Sequence, residues 1–234
     1  MTRNLAPDVL AALKAVDTPT ICNAIELIEG RRRNTGFTRT TVFAADPLLP
    51  PMVGFALTAR IRADRPSSED AAVVRARRLD YYRYLASETR PRLVVIEDHG
   101  DERGIGAFWG EVNVAIHKGL GLQGVLTNGS IRDLGAIDPG FHLLAGSIGP
   151  SHAFVHVTGF DLPVTVFGLD IGPGDLIHAD RHGAVIIEPG IETELPRAID
   201  LVTRKEAPIL KAARSPDFDI TRLRTAWGEA EDVH

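Results

Sequence analysis

Three charged residues are spaced so that they could act together on one ligand. They are Glu111 in "WGEVN" and the pair Arg132 and Asp133 in "NGSIRD", with twenty residues between Glu111 and the pair. The planar fork of an arginine holds a carboxylate through two hydrogen bonds. An aspartate beside it would repel that anion unless it has a different job. A carboxylate oxygen and waters suit Mg²⁺ or Mn²⁺, and such a cation bridges protein and anion. The neighbouring charges then divide the work, Arg132 for an anionic ligand and Asp133 for a metal. Standing alone, an Arg–Asp dipeptide is more simply a surface ion pair worth little. What lifts this one is Glu111, carried to the same rim by the elements between them.

Those elements read as a βαβ unit. "RLVVIEDHGD" is a short apolar run ending in Glu97, Asp98, His99 and Asp101. "GIGAFWGEVNVAIHKGLGLQ" supplies a glycine-rich turn and a helix that stops at Gly119 or Gly121. The next strand runs from Gly124 to Thr127, and Gly129 makes the turn at its end or lets a ligand approach. Strand, helix, strand implies parallel pairing with a right-handed crossover. Ligands of open α/β sheets collect beyond the carboxyl ends of the strands. The helix opens there, so its first N–H groups, near Val112 and Asn113, offer roughly half an elementary charge to a carboxylate or phosphate.

The flanking chain supports this frame. Pro7 to Val16 has helical spacing, and a second helix follows, capped by Thr18 with Pro19 as its first residue. Residues 29–51 read as an irregular excursion holding one short strand, with Arg31, Arg32 and Arg33 on a solvated loop. "MVGFALTARIRAD" alternates as a strand, and a helix opens at Ser68, whose Tyr81, Tyr82 and Tyr84 cannot all face one way. Short β-rich runs follow, the last two forming a hairpin around "DRHG" with Gly183 at positive φ. From Ile191 the chain is helical through Ala213, and the tail beyond Pro216 frays or packs on a neighbour.

Composition bounds the function. The chain has 234 residues, 44% hydrophobic, which is enough for a substantial core. A net charge of −5 gives no global basic field for nucleic acid. A single cysteine, Cys22, rules out an intrachain disulfide and a cysteine-based zinc site. The N-terminus does not read as a signal peptide and no apolar run is long enough to span a bilayer. These features predict a soluble cytoplasmic protein, without nucleic-acid or membrane partners.

Other residues invite chemistry and are better explained without it. His152 and His156 sit four apart in what reads as a strand, on one face; they could line a pocket, but backbone or solvent satisfies them more simply. His178 and His182 belong to the hairpin. Trp109 is a core or interface aromatic, and Cys22 is packing rather than a nucleophile. "GIGAFWG" has neither a Walker lysine nor dinucleotide spacing.

"WGEVNVAIHKGLGLQGVLTNGSIRDL" resembles the central motif of the RraA-like superfamily, which includes class II 4-hydroxy-4-methyl-2-oxoglutarate aldolases and regulators of RNase E activity; "GPGDLIHADRHGAVIIEP" resembles its closing hairpin. The resemblance implies an α/β fold, a swivelling β/β/α domain with flanking N- and C-terminal helices. It would occupy residues 1–234 as one domain, with a core of about 18–190 and a helical extension from about 191. It implies a homotrimer or hexamer, Asp133 as the metal ligand (Mg²⁺, or Mn²⁺), and Arg132 on the pyruvyl end of a 2-oxo acid. Gly110, Glu111, Val112 and Asn113 would then cradle the substrate, with Glu111 orienting a water on the metal. Members with aldolase activity commonly carry a further acid shortly after Arg-Asp; here Asp138 stands at a shifted position.

The implied activity is a metal-dependent lyase that cleaves a C–C bond to leave pyruvate enolate, by retro-aldol reaction or oxaloacetate decarboxylation. Two rival readings are a non-catalytic regulator like those of RNase E, which gives no reason for the Glu111, Arg132 and Asp133 set, and a sugar-acid dehydratase using the same site.

Overall fold

The computed structural model describes residues 4–234; the first three residues of the expected domain and N-terminus lie outside the described residues. In chain order the helices are α1 (Pro7–Lys14), α2 (Thr18–Glu29), α3 (Ala71–Ser87), α4 (Glu111–Gly119), α5 (Leu195–Ala213) and α6 (Ile220–Glu231). The strands are β1 (Phe43–Ala44), β2 (Met52–Arg62), β3 (Arg92–Asp98), β4 (Ala107–Trp109), β5 (Gly124–Ile131), β6 (His142–Ile148), β7 (His156–Phe160), β8 (Val164–Val166), β9 (Leu169–Ile171), β10 (Leu176–Asp180) and β11 (Gly183–Ile187). The architecture is α/β, a curled mixed sheet with flanking helices. No helix of the described residues is long and apolar enough to cross a membrane.

Strands β2, β3, β5 and β6 are parallel neighbours, with Val94 opposite Val125 and Leu126 opposite Leu144. Antiparallel strands close the edges: β1 on β6, and the β10–β11 hairpin on β2. One edge of β2 is shared, its first residues pairing with β10 and its last with β7. A strand that hands its edge from one partner to another must twist along its length, and this curls the sheet. Between those partners, Ala56 and Thr58 bond to the backbone of Asp175, Gly174 and Asp161.

Burial on both faces changes the reading of β2. Its first eight residues are buried without interruption rather than alternating. A central strand of a sheet covered on both sides loses the in–out rhythm. One face packs on α3, β4 and α4 through Tyr81, Leu85, Trp109 and Val114. The other lies under the small β8–β9 hairpin, with Val166 and Leu169. A third cluster joins α1, α2 and α5 to β10 and β11.

Several boundaries differ from those expected from the sequence. The cap of α2 is Asp17, whose Oδ1 accepts from the Thr20 N–H at 3.0 Å; Thr18 is already helical. Helix α3 begins at Ala71 after Asp70, not at Ser68. Strand β5 runs on to Ile131, because β4 and β6 pair with its last two residues, so Gly129 lies inside the strand and makes no end turn. At the irregularity there, the Asn128 side chain takes the Asp98 N–H at 2.7 Å and gives to the Asp98 carbonyl at 3.1 Å, standing in for the missing ladder bonds. The tail beyond Pro216 forms α6, packed on α5. The hairpin turn is as expected, with Gly183 at φ +123°.

Candidate active site

Two backbone conformations bring the charged residues together. The N–H of Arg132 bonds the Trp109 carbonyl at 2.9 Å, which fixes the end of β5 against the end of β4. The next residue, Asp133, is left-handed at φ +59°, a conformation open to Asp at modest cost, and this turns the chain away from the sheet. The Asp133 carboxylate thereby reaches the first turn of α4, where Oδ2 accepts from the Glu111 N–H at 3.2 Å. The same oxygen lies 3.4 Å from Arg132 Nε.

Gly110 makes this approach possible. A Cβ there would lie 2.4 Å from Asp133 Oδ2 and 3.1 Å from Arg132 Nε. Its φ of −159° is ordinary extended backbone, so the requirement for glycine is spatial rather than conformational. The N–H groups of Val112 and Asn113 belong to the first helical turn and have no acceptor four residues back. They stand at the positive end of the helix macrodipole.

Gly110, Glu111, Val112, Asn113, Arg132 and Asp133 all line one cleft of about 800 Å³. Arg132 and Asp133 are about a third exposed, at 34% and 40% of their side chains, and Val112 as a residue is 70% exposed. Glu111 is exposed and has no ion pair among the described residues. The Asn113 side chain turns inward, so only its backbone can serve a ligand. Its Oδ1 accepts from Arg78 Nη2 at 3.0 Å and from the Tyr82 hydroxyl at 2.9 Å, and its Nδ2 donates to the Phe108 carbonyl. Asn113 thus ties α3 and β4 to the start of α4.

Beneath the cleft, the ring of His117 is buried. Its Nδ1–H donates to the Asn113 carbonyl at 2.5 Å, and its Nε2 accepts from the Tyr81 hydroxyl at 2.7 Å. Burial pushes the imidazole down to about 4, so it is neutral at pH 7. Trp109, a core residue, lies against it at 4.4 Å between ring centroids.

His152 and His156 also line the cleft. Only His156 is in a strand; His152 sits in a loop whose next residue, Ala153, is left-handed at φ +43°. Each gives its Nδ1–H to a nearby carbonyl, that of Ala153 at 2.7 Å and of Phe154 at 2.8 Å. Backbone satisfaction and a place in the cleft therefore hold together. His178 is buried between the Thr18 hydroxyl and the Leu13 carbonyl, and His182 pairs with Asp180, both away from the cleft.

The polar cluster at the end of β3 is structural. Glu97 pairs with Arg60 at 2.9 Å, Asp98 accepts from the N–H groups of Gly100 and Gly104, and Asp101 pairs with Arg65. Asp138 lies 3.9 Å from Lys118 and does not line the cleft. Arg31, Arg32 and Arg33 pair with Glu29 and Glu26 of α2. Burial raises the Cys22 thiol to about 11, which leaves no thiolate for attack.

Arg75 and Arg78 of α3 also line the cleft, two residues that the sequence does not mark. Their spacing with Ala71 and Val74 puts all four on one helical face, but the sequence does not say which face meets the sheet. Among the described residues no three His, Cys, Asp or Glu side chains cluster as metal ligands. The Asp133 carboxylate together with solvent oxygens is a donor set that fits a hydrated Mg²⁺.

The model of the family described as RraA-like, Aldolase/RraA, matches residues 18–186. Among solved structures, an uncharacterized protein from Pseudomonas syringae pv. tomato aligns over 96% of both chains, with 20% identity and a TM-score of 0.72. Streptomyces coelicolor RraAS2, described as an unusual member of the RNase ES inhibitor RraA protein family, aligns over 92% of this chain and all of its own, with 22% identity and a TM-score of 0.65. The RNA-processing inhibitor RraA from Thermus thermophilis aligns over 73% of this chain and 95% of its own, with 17% identity and a TM-score of 0.54. At these identities the structures speak for the fold alone. The family match covers most of the sequence and holds the whole Gly110–Asp133 motif, and the chain belongs to the RraA-like family.

Proposed function

We propose that this protein is a divalent-metal-dependent lyase that cleaves a C–C bond in a 2-oxo acid and releases pyruvate, by aldol cleavage, by oxaloacetate decarboxylation, or by both. The observation that carries the reading is the hydrogen bond from the Glu111 N–H to Asp133, which draws a helix N-terminus, a guanidinium and a carboxylate into one cleft.

Arg132 binds the carboxylate of the substrate through its fork, and the free first-turn N–H groups of Val112 and Asn113 complete the cradle. Asp133 holds the metal with solvent oxygens. Bound there, Mg²⁺ or Mn²⁺ would supply Lewis acidity for the negative charge that develops on the keto oxygen as the bond breaks. Arg132 stabilises the same charge from the protein side. Glu111, exposed and without an ion-pair partner, orients the water that carries the proton to the product carbon. The working form is a homotrimer or hexamer; Ile220 and Trp227, at 73% and 54% exposure on α6, are apolar surface that association could cover.

The test is pyruvate release from oxaloacetate and from 4-hydroxy-4-methyl-2-oxoglutarate, with Mg²⁺ and with chelator, for wild type and Asp133→Ala. Metal-dependent turnover that the variant loses supports the reading. A folded protein that binds no divalent cation and releases no pyruvate from either substrate overturns it, in favour of a non-catalytic regulator. Metal binding without pyruvate would point to another enolate reaction, such as sugar-acid dehydration.

A further inference from the structure

The cleft continues past Arg132 to a wall formed by α3. Ala71, Val74, Arg75 and Arg78 follow the i, i+3, i+4, i+7 spacing of one helical face, and all four line it. Nearby arginines are neutralised by carboxylates: Arg77 by Glu69, Arg83 by Asp80, Arg60 by Glu97 and Arg65 by Asp101. The two that face the cleft are not. Arg75 has no ion pair or hydrogen-bond partner among the described residues. Arg78 bonds only neutral oxygens, those of Asn113 at 3.0 Å and Tyr82 at 3.1 Å. Its guanidinium is also steadied 5.6 Å from the Phe108 ring centroid and 5.9 Å from that of Tyr82.

Two like charges one helical turn apart repel each other. Here that repulsion is left standing on a concave wall, where an anion would relieve it. His152 and His156 line the same cleft, as does Glu69, whose carboxylate is held by Arg77; with each histidine Nδ1 spent on a carbonyl, each Nε2 remains available.

We infer that Arg75 and Arg78 form a distal anion subsite that selects 2-oxo acids bearing a second anionic group, a carboxylate or a phosphonate or phosphate, at the end remote from Arg132. This rests on the reading of the Arg132 end as a 2-oxo acid site. Arg78 is preorganised by Asn113 and the two rings, and Arg75 closes from the exposed edge. The pairing gives selectivity because a truncated ligand leaves both guanidiniums as uncompensated as they are in the free protein.

Calorimetric titration of the full chain in Mg²⁺ would compare 2-oxobutyrate, 2-oxoglutarate and 4-phosphono-2-oxobutyrate, with oxalate as a probe of the Arg132 end alone. The two ligands with a distal anion are expected to bind about tenfold tighter than 2-oxobutyrate, and the tighter of them identifies the distal group. Arg75→Gln, at an exposed position that burdens no fold contact, should remove most of that preference while oxalate affinity stays within about twofold. Arg78→Gln should reduce it as well. Equal binding of all three 2-oxo acids, or a preference that survives both substitutions, overturns the subsite while oxalate binding leaves the 2-oxo acid site intact. Failure of oxalate and all three acids to bind overturns that site and the subsite with it.

Discussion

The backbone N–H of Glu111 donates to Oδ2 of Asp133 at 3.2 Å, across 22 positions of sequence. The bond gives one helix-terminal donor a partner and holds the carboxylate where Arg132 Nε also approaches it. Asp133 thereby has two roles, an N-terminal cap for α4 in the manner of a capping carboxylate, and the proposed metal ligand.

Asp133→Asn separates those roles. The amide oxygen can still accept from Glu111, but the negative charge is gone. Mn²⁺ affinity, followed by electron paramagnetic resonance, should fall by more than about a hundredfold with pyruvate release falling alongside it. Unchanged Mn²⁺ affinity would remove Asp133 as the ligand.

Gly110→Ala places a methyl 2.4 Å from Asp133 Oδ2 without any backbone penalty, since φ is −159°. The side chains of Asp133 and Arg132 must move, and misplacement of this order costs catalysis more than stability. We expect kcat/KM to fall about a hundredfold, with the melting temperature shifted by about 3 °C or less. A variant as active as wild type would show that the Asp133 position is not critical.

Asn113→Ala leaves the Phe108 carbonyl without its donor and frees Arg78 and Tyr82 from the residue that joins them. Urea unfolding should show a loss of about 1–3 kcal/mol. A loss well below that range would mean that solvent replaces the amide at no cost.

Stability should fall as the solution is acidified below neutrality, through His117. In the unfolded chain the imidazole titrates near 6.5, whereas in the folded protein burial pushes it down to about 4. Between those values the unfolded state takes up a proton that the folded state refuses. The stability is therefore fully present above 6.5 and is lost as pH falls towards 4, by up to something on the order of 3 kcal/mol. His178 and His142, also lowered by burial, act in the same direction. Urea midpoints measured from pH 7 to pH 5 should decline, and His117→Gln should flatten the decline without abolishing it. An equal slope in the variant would assign the effect elsewhere.

Much of the site is encoded in chemistry local to the chain. The order of apolar runs and glycines from Arg92 to Ile131 encodes strand, helix and strand, and the spacing of Glu111 from Arg132 and Asp133 puts all three at one end of such a unit. The helix start at Glu111 and the hairpin turn at Gly183 follow from propensities that act within a few residues, and the apolar character of Trp109 and Cys22 already assigns them to packing. What the tertiary structure decided depends on long-range partners. Strand β5 reaches Ile131 only because β4 and β6 stand ready to pair with its end. Strand β2 loses its alternation because layers cover both of its faces. The "EDHGD" cluster, which the sequence places at the rim, is consumed by Arg60, Arg65 and the loop after β3. Arg75 and Arg78 enter the cleft because α3 packs with Tyr81 and Leu85 inward, and a helix whose polar residues run all round does not announce that choice in its own sequence.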